Sequence, residues 1–119
     1  MQMSVVVSDD NAVVRLRCEG QISQSNFQPG VDPIESLLGY GCFAKKVLLN
    51  LEKTEYIDWS GISWLIVCHK NFLKNGGKLV LHTIPPMVYQ ALQWLRMPLI
   101  LHLADDENTA RALALGEKK

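Results

Sequence analysis

Four consecutive residues carry the densest chemistry in the chain: Asp58, Trp59, Ser60 and Gly61. A carboxylate two positions before a serine, closed by glycine and followed by a run with helical periodicity, predicts a helix N-terminus. Asp58 and Ser60 can each accept a hydrogen bond from the free amides of a first helical turn. Gly61 allows another piece of backbone to approach closely. The N-terminal end of a helix carries partial positive charge and favours a phosphate placed on or beside it. Ser60 is therefore a candidate phosphoryl acceptor, and phosphorylation would set nearly two negative charges beside Asp58. The same residues also make an ordinary helix cap, and spacing alone does not choose between the two.

Other reactive side chains form no comparable pattern. His69, His82 and His102 are candidates for a base or a metal ligand, and His82 and His102, near strand ends, could come close in space, but ordinary structural histidines are expected. No cysteine or carboxylate spacing accompanies them, so no metal site is expected. Cys18, Cys42 and Cys68 are odd in number and match no zinc pattern; they are expected as buried, reduced thiols. Ser60 lacks the Gly-x-Ser-x-Gly elbow of a serine hydrolase. Gly76-Gly77 is not followed by Gly-Lys-Ser, so it is a helix stop and not a phosphate loop. The expectation is a binding protein without catalytic residues or cofactor.

Composition narrows the class further. The chain has 119 residues, which suits one domain with a core of its own. Twelve basic residues balance twelve acidic ones, without the basic excess of nucleic-acid binders. A balanced surface fits recognition of another protein through local shape and charge. Met1-Gln2-Met3-Ser4 is not expected to be a secretory signal. No stretch approaches the ~20 apolar residues needed to span a bilayer. A cytoplasmic protein is expected.

The elements that must position the turn follow from periodicity. Met3 to Val7 and Ala12 to Glu19 are expected as two strands of a hairpin, joined at Ser8 to Asn11 and ended by Gly20. Gln21 to Ala44 is irregular, with a turn at Gln28-Pro29-Gly30 and a short helix from Pro33 to Leu38. The apolar run Lys46 to Leu51 predicts a strand covered on both faces, with Glu52 to Ile57 as a connector. A helix from Asp58 to Asn75 buries Ile62, Leu65, Ile66, Cys68 or His69, Phe72 and Leu73, and turns Lys70 and Lys74 outward. Gly76-Gly77 stops it. A strand at Lys78 to His82, a helix at Met87 to Leu95 and a strand at Leu99 to Leu103 follow, with Pro98 as a break. A last helix from Asp105 to Leu115 begins on acidic residues. Met87, Trp94, Leu95 and Met97 are expected mostly in the core. Trp64, one turn beyond Ser60, fits the core and an exposed patch with Trp59 equally, and the sequence leaves the two open. The order predicts an α/β fold, a mixed sheet with a hairpin and then parallel strands, packed against helices. The turn at Asp58 lies after a strand carboxyl end, where such sheets meet ligands and partners.

Several of these segments carry a family resemblance. They are Val47 to Leu51, Tyr56-Ile57-Asp58-Trp59-Ser60-Gly61-Ile62, Asn75 to Leu81 and Pro85-Pro86-Met87-Val88. Together they resemble the STAS domain of anti-sigma factor antagonists, and the chain is expected to be one such domain over residues 1–119. The resemblance implies a partner, an anti-sigma factor that is also a serine kinase. It implies phosphorylation at the serine before the turn glycine, here Ser60, with Asp58 as the turn aspartate. A separate phosphatase would reset the protein. The implied partner surface comprises Asp58, Trp59, Ser60, Gly61, Ser23 and Trp64, and a homodimer is open to the chain.

Three features depart from the pattern. Trp59 stands where the family commonly has a small Ser or Thr. Ser23 stands where an acidic residue usually follows the second strand. Gln24 to Ala44 is a poor copy of the family's first helix. A non-switching scaffold of a stress-signalling or lipid-transport assembly, and a small-ligand carrier or enzyme, remain the alternatives.

Overall fold

The sheet is organised around its third strand, whose residues alternate between two apolar layers. In the computed structural model, which describes residues 2–6, 13–23, 32–39, 41–97 and 100–116, β3 (Lys46–Ile57) lies in the middle of a five-stranded sheet of order β1-β2-β3-β4-β5. β1 (Gln2–Val5) pairs antiparallel with β2 (Val14–Ile22). β2, β3, β4 (Lys78–His82) and β5 (His102–Ala104) run parallel. Val47, Leu49 and Leu51 point into one core layer with Leu16, Leu79 and Leu81. Leu48 points the other way, with Val80, into a smaller layer.

The helices divide between those layers. α1 (Pro33–Leu38), α2 (Trp59–Lys74) and α3 (Pro86–Trp94) bury Ile34, Leu65, Phe72, Val88 and Leu92 in the larger one. α4 (Glu107–Leu115) covers the other face through Ala110 and Ala114. Each fully buried aliphatic side chain contributes about 1.5–3 kcal/mol, so the larger layer dominates stability. The turn after α2 depends on Gly77: a Cβ there would overlap the carbonyl oxygens of Phe43 and Lys45.

The expected fold class is the observed one: an α/β mixed sheet, hairpin first and parallel afterwards, with helices packed on it. Several boundaries differ. β2 runs past Gly20 to Ile22, and β3 runs past Leu51 to Ile57. The β2–β3 register shifts twice, between Arg17 and Glu19 and between Gly20 and Gln21. Gly20, at φ 84°, sits at the second irregularity and bends the strand there instead of ending it. The bulges break the period of two over Glu52 to Ile57, so a strand looks like a connector. β5 is shorter than Leu99 to Leu103, because Ile100 and Leu101 both donate to the Met97 carbonyl in a turn. Leu99, Pro98 and the turns at Ser8 to Asn11 and Gln28 to Gly30 lie outside the described residues, as does Val7.

Exposure corrects the placement of Trp94 and decides that of Trp64. Trp64 is only 5% exposed, whereas Trp94 is 80% exposed and Met87 is also largely bare. Leu73 and Leu95 lie on the surface too. α3 contacts the sheet along one narrow stripe, Val88 and Leu92, one helical turn apart. Met87 and Trp94, off that stripe, stay outside.

Candidate functional site

Strand register assembles the site. Gln21 pairs with Tyr56 and Ile22 with Ile57. The next residues, Ser23 and Asp58, therefore leave the carboxyl ends of β2 and β3 side by side. The Asp58 amide donates to the Ile22 carbonyl oxygen at 3.3 Å, which extends the pairing by one bond. Gly61 then passes directly over that carbonyl, and a Cβ at position 61 would overlap it. The glycine is needed for the close approach of the α2 first turn to the end of β2.

Asp58 is the N-cap of α2: its Oδ1 accepts from the Gly61 amide at 2.8 Å. Of the two residues able to cap, the sequence left the choice open, and Asp58 takes it. Its Oδ1 also accepts from the Ser60 hydroxyl at 2.6 Å. Ser60 Oγ is 3.3 Å from Ser23 Oγ, and either hydroxyl can donate in that contact. Hydrogen bonds from Ser23, then Ser60, then the Gly61 amide hold the Asp58 carboxyl below the usual carboxylate range. A carboxylate stabilised in this way is a poor proton acceptor. It orients the Ser60 hydroxyl but does not ionise it.

Trp59 is 64% exposed and stands beside this cluster at the first position of α2. The turn thus combines a partly exposed hydroxyl, an anionic neighbour and a bare indole. Trp64 does not join it. Its indole N–H donates at 3.3 Å to Asp32 Oδ2, and the ring lies in the core. The sequence left a Trp59–Trp64 patch open against burial of Trp64; the patch does not form, because residues five apart fall on different sides of a helix.

Asp32 was not legible as a functional or structural centre. Its Oδ1 accepts from the amides of Ile34 and Glu35, capping α1. Its Oδ2 accepts from Trp64 and, at 3.5 Å, from the Cys68 thiol. One carboxylate therefore ties α1 to α2. Asp32-Pro33 is a recognisable N-cap followed by proline at the first helical position, so the cap had a signal and the bridge to α2 had none.

The three histidines share no single cluster among the described residues. His102 is opposite Val80, and His82 is opposite Ala104. The ring partner of His102 is His69 of α2, edge-on with centroids 5.0 Å apart. His82 Nδ1 lies 2.8 Å from Thr83 Oγ1. Burial pushes all three rings below the usual histidine range. Among the described residues no three His, Cys, Asp or Glu side chains gather as for a metal. The cysteines are buried and free. Burial raises the Cys18 thiol to about 11, and burial with the Asp32 charge raises Cys68 further. None is poised as a nucleophile. No helix among the described residues is long and apolar enough to cross a membrane.

Comparisons with known proteins agree with this architecture. The STAS domain family model matches residues 2–110. A solved structure from Thermotoga maritima, TM1081, described as a candidate anti-sigma factor antagonist, superposes with a TM-score of 0.79 at 18% identity, covering 95% of this chain and 94% of that one. The anti-sigma factor antagonist SpoIIAA in its unphosphorylated form superposes at 0.59 with 14% identity, covering 90% and 91%. The Bacillus cell fate determinant SpoIIAA in the phosphorylated form superposes at 0.56 with 14% identity, covering 94% and 99%. At these identities the likeness is one of fold.

Proposed function

The chain belongs to the STAS domain family, and we propose that within it the protein is an anti-sigma factor antagonist, switched by phosphorylation of Ser60. Its partner is an anti-sigma factor with serine kinase activity, and binding that partner releases a sigma factor. The observation that carries this reading is the Ser60 hydroxyl, fixed 2.6 Å from Asp58 on the first turn of α2 beside the exposed Trp59. The fold is shared with an antagonist solved in both unphosphorylated and phosphorylated forms.

In the switching step the Ser60 Oγ–H bond breaks and an Oγ–P bond forms. The bond between the γ-phosphorus of ATP and the β–γ bridging oxygen breaks, and ADP departs. The proton goes to a base of the kinase, since Asp58 is held as a stable anion. The kinase also brings magnesium and ATP. The product carries nearly two added charges next to the Asp58 carboxylate. A partner surface that had closed over Trp59 and Ser60 then meets repulsion and the desolvation of a dianion. A phosphatase reverses the change by hydrolysing the same Oγ–P bond.

Trp59 serves as an anchor in this scheme. A bare indole at the rim of a polar turn is the kind of side chain that dominates protein interfaces. Trp59→Ser should leave folding stability within about 0.5 kcal/mol and weaken capture of the kinase at least tenfold. The test of the switch is mass spectrometry on protein recovered from its native cell with its bound partner. One phosphate on Ser60, absent in Ser60→Ala, supports the reading. Phosphate only at another residue, or stable partner binding indifferent to Ser60→Asp, replaces it with a non-switching scaffold.

A further inference from the structure

We infer that Ser23 is a positioning residue of the switch, contacting the Ser60 hydroxyl before phosphorylation and donating a hydrogen bond to the phosphoryl group afterwards. This rests on Ser60 being the acceptor. It assigns a role to a residue from a different strand, at a position where geometry places a second hydroxyl against the first.

Ser23 is 6% exposed and follows directly on β2. Its Oγ lies 3.3 Å from Ser60 Oγ, and its hydroxyl is also a hydrogen-bond partner of the Asp58 carboxylate. The cluster therefore holds one acceptor-only carboxylate and two hydroxyls with one proton each. Before phosphorylation the Ser60 hydroxyl keeps its proton and donates it in a hydrogen bond to Asp58 Oδ1. Transfer of the phosphoryl group removes that proton and puts phosphoryl oxygens on the atom that Ser23 already touches. Within this trio of side chains, Ser23 then holds the one remaining hydroxyl proton. Rotation about its Cβ–Oγ bond turns that proton toward the phosphoryl oxygens without moving Oγ or the backbone. A hydroxyl can make this exchange because it carries no charge. A carboxylate at position 23 would face the phosphate with a second fixed anion beside Asp58.

The role can be tested without any kinase. Phosphoserine is incorporated at position 60 of the full chain by expanded genetic coding, and the 31P chemical shift is followed against pH. A phosphoserine monoanion loses its second proton near pH 6. A donor to the dianion lowers that value. Ser23→Ala should raise it by about 0.4–1 pH unit, the equivalent of one ordinary hydrogen bond. Ser23→Thr should return it to the parent value, and Ser23→Asp should raise it beyond Ser23→Ala. In the unphosphorylated chain, 13C titration should show the Asp58 carboxyl rising in Ser23→Ala. A 31P titration identical in parent, Ser23→Ala and Ser23→Asp proteins overturns the proposal. Should Ser23→Ala not fold, the parent against Ser23→Asp decides alone. Absence of phosphate on Ser60 in the cell would defeat the switch reading and leave this 31P result intact, so the two failures are separable.

Discussion

The N-termini of α2 and α4 are built from the same cap and differ in what faces it. Asp58 accepts from the amide three residues on, Gly61, at 2.8 Å; Asp106 accepts from the amide three residues on, Thr109, at 2.7 Å. Both follow parallel strands of one sheet. At α4 the first turn is tied down by an ion pair, Glu107 to Arg15 at 3.1 Å. At α2 the second helical residue is a serine, and a second serine arrives from the end of β2. An aspartate cap by itself is structural. The neighbours brought in by register turn one of the two caps into a candidate switch.

The third helical position should separate the two ends most sharply. Gly61→Ala forces a methyl group onto the Ile22 carbonyl, which should cost about 3 kcal/mol as overpacking against backbone. Thr109→Ala at the matching place of α4 should cost at most about 0.5 kcal/mol. Urea denaturation of the two variants checks this, and equal losses would break the comparison. The caps come next. Asp106→Ala should lose about 1 kcal/mol and leave partner capture unchanged, whereas Asp58→Ala should lose the cap and partner capture together.

Acid should act on the two ends differently as well. The Asp58 carboxyl is depressed by hydrogen bonds from Ser23, Ser60 and the Gly61 amide, against a usual value of 3.8. A depressed folded value means that its contribution is complete above the unfolded value and is lost as pH falls through the folded one. The parent protein should therefore lose its advantage over Asp58→Asn as pH drops below about 4. Stability curves that stay parallel from pH 7 to pH 2.5 would contradict the hydrogen-bonded anion. The smallest effect is expected at the α4 ion pair. Glu107→Gln should cost about 0.5 kcal/mol and lower the His82 titration further, since Glu107 pulls that buried ring upward. An NMR titration reads the direction.

The comparison also explains what the amino-acid order made legible. Asp58-x-Ser60-Gly61 announced the helix start because capping is local chemistry within four residues. The parallel sheet was legible from Val47 to Leu51 and Lys78 to His82, where apolar runs are continuous. The far end of β3 was not, because two bulges against β2 hide the alternation over Glu52 to Ile57. The same bulges set the register that delivers Ser23 to Ser60. Ser23 was expected on the partner surface but is buried, and its contact with Ser60 joins residues 37 apart in sequence. Trp94, expected in the core, is exposed, and the place of Trp64 stayed open, for a related reason. Which side of a helix faces the sheet depends on the crossing of whole elements, and a short helix such as α3 offers too few turns to reveal it.

The central claim is that one phosphate on Ser60 abolishes docking at the Asp58 turn. The most direct measurement is the affinity of the proposed partner, an anti-sigma kinase recovered with the protein from its native cell, for this chain with serine and with phosphoserine at position 60, titrated side by side by calorimetry. The account predicts a loss of at least a hundredfold on phosphorylation, in line with the disruption of a charge-sensitive interface centre. Equal affinity of the two forms would contradict it.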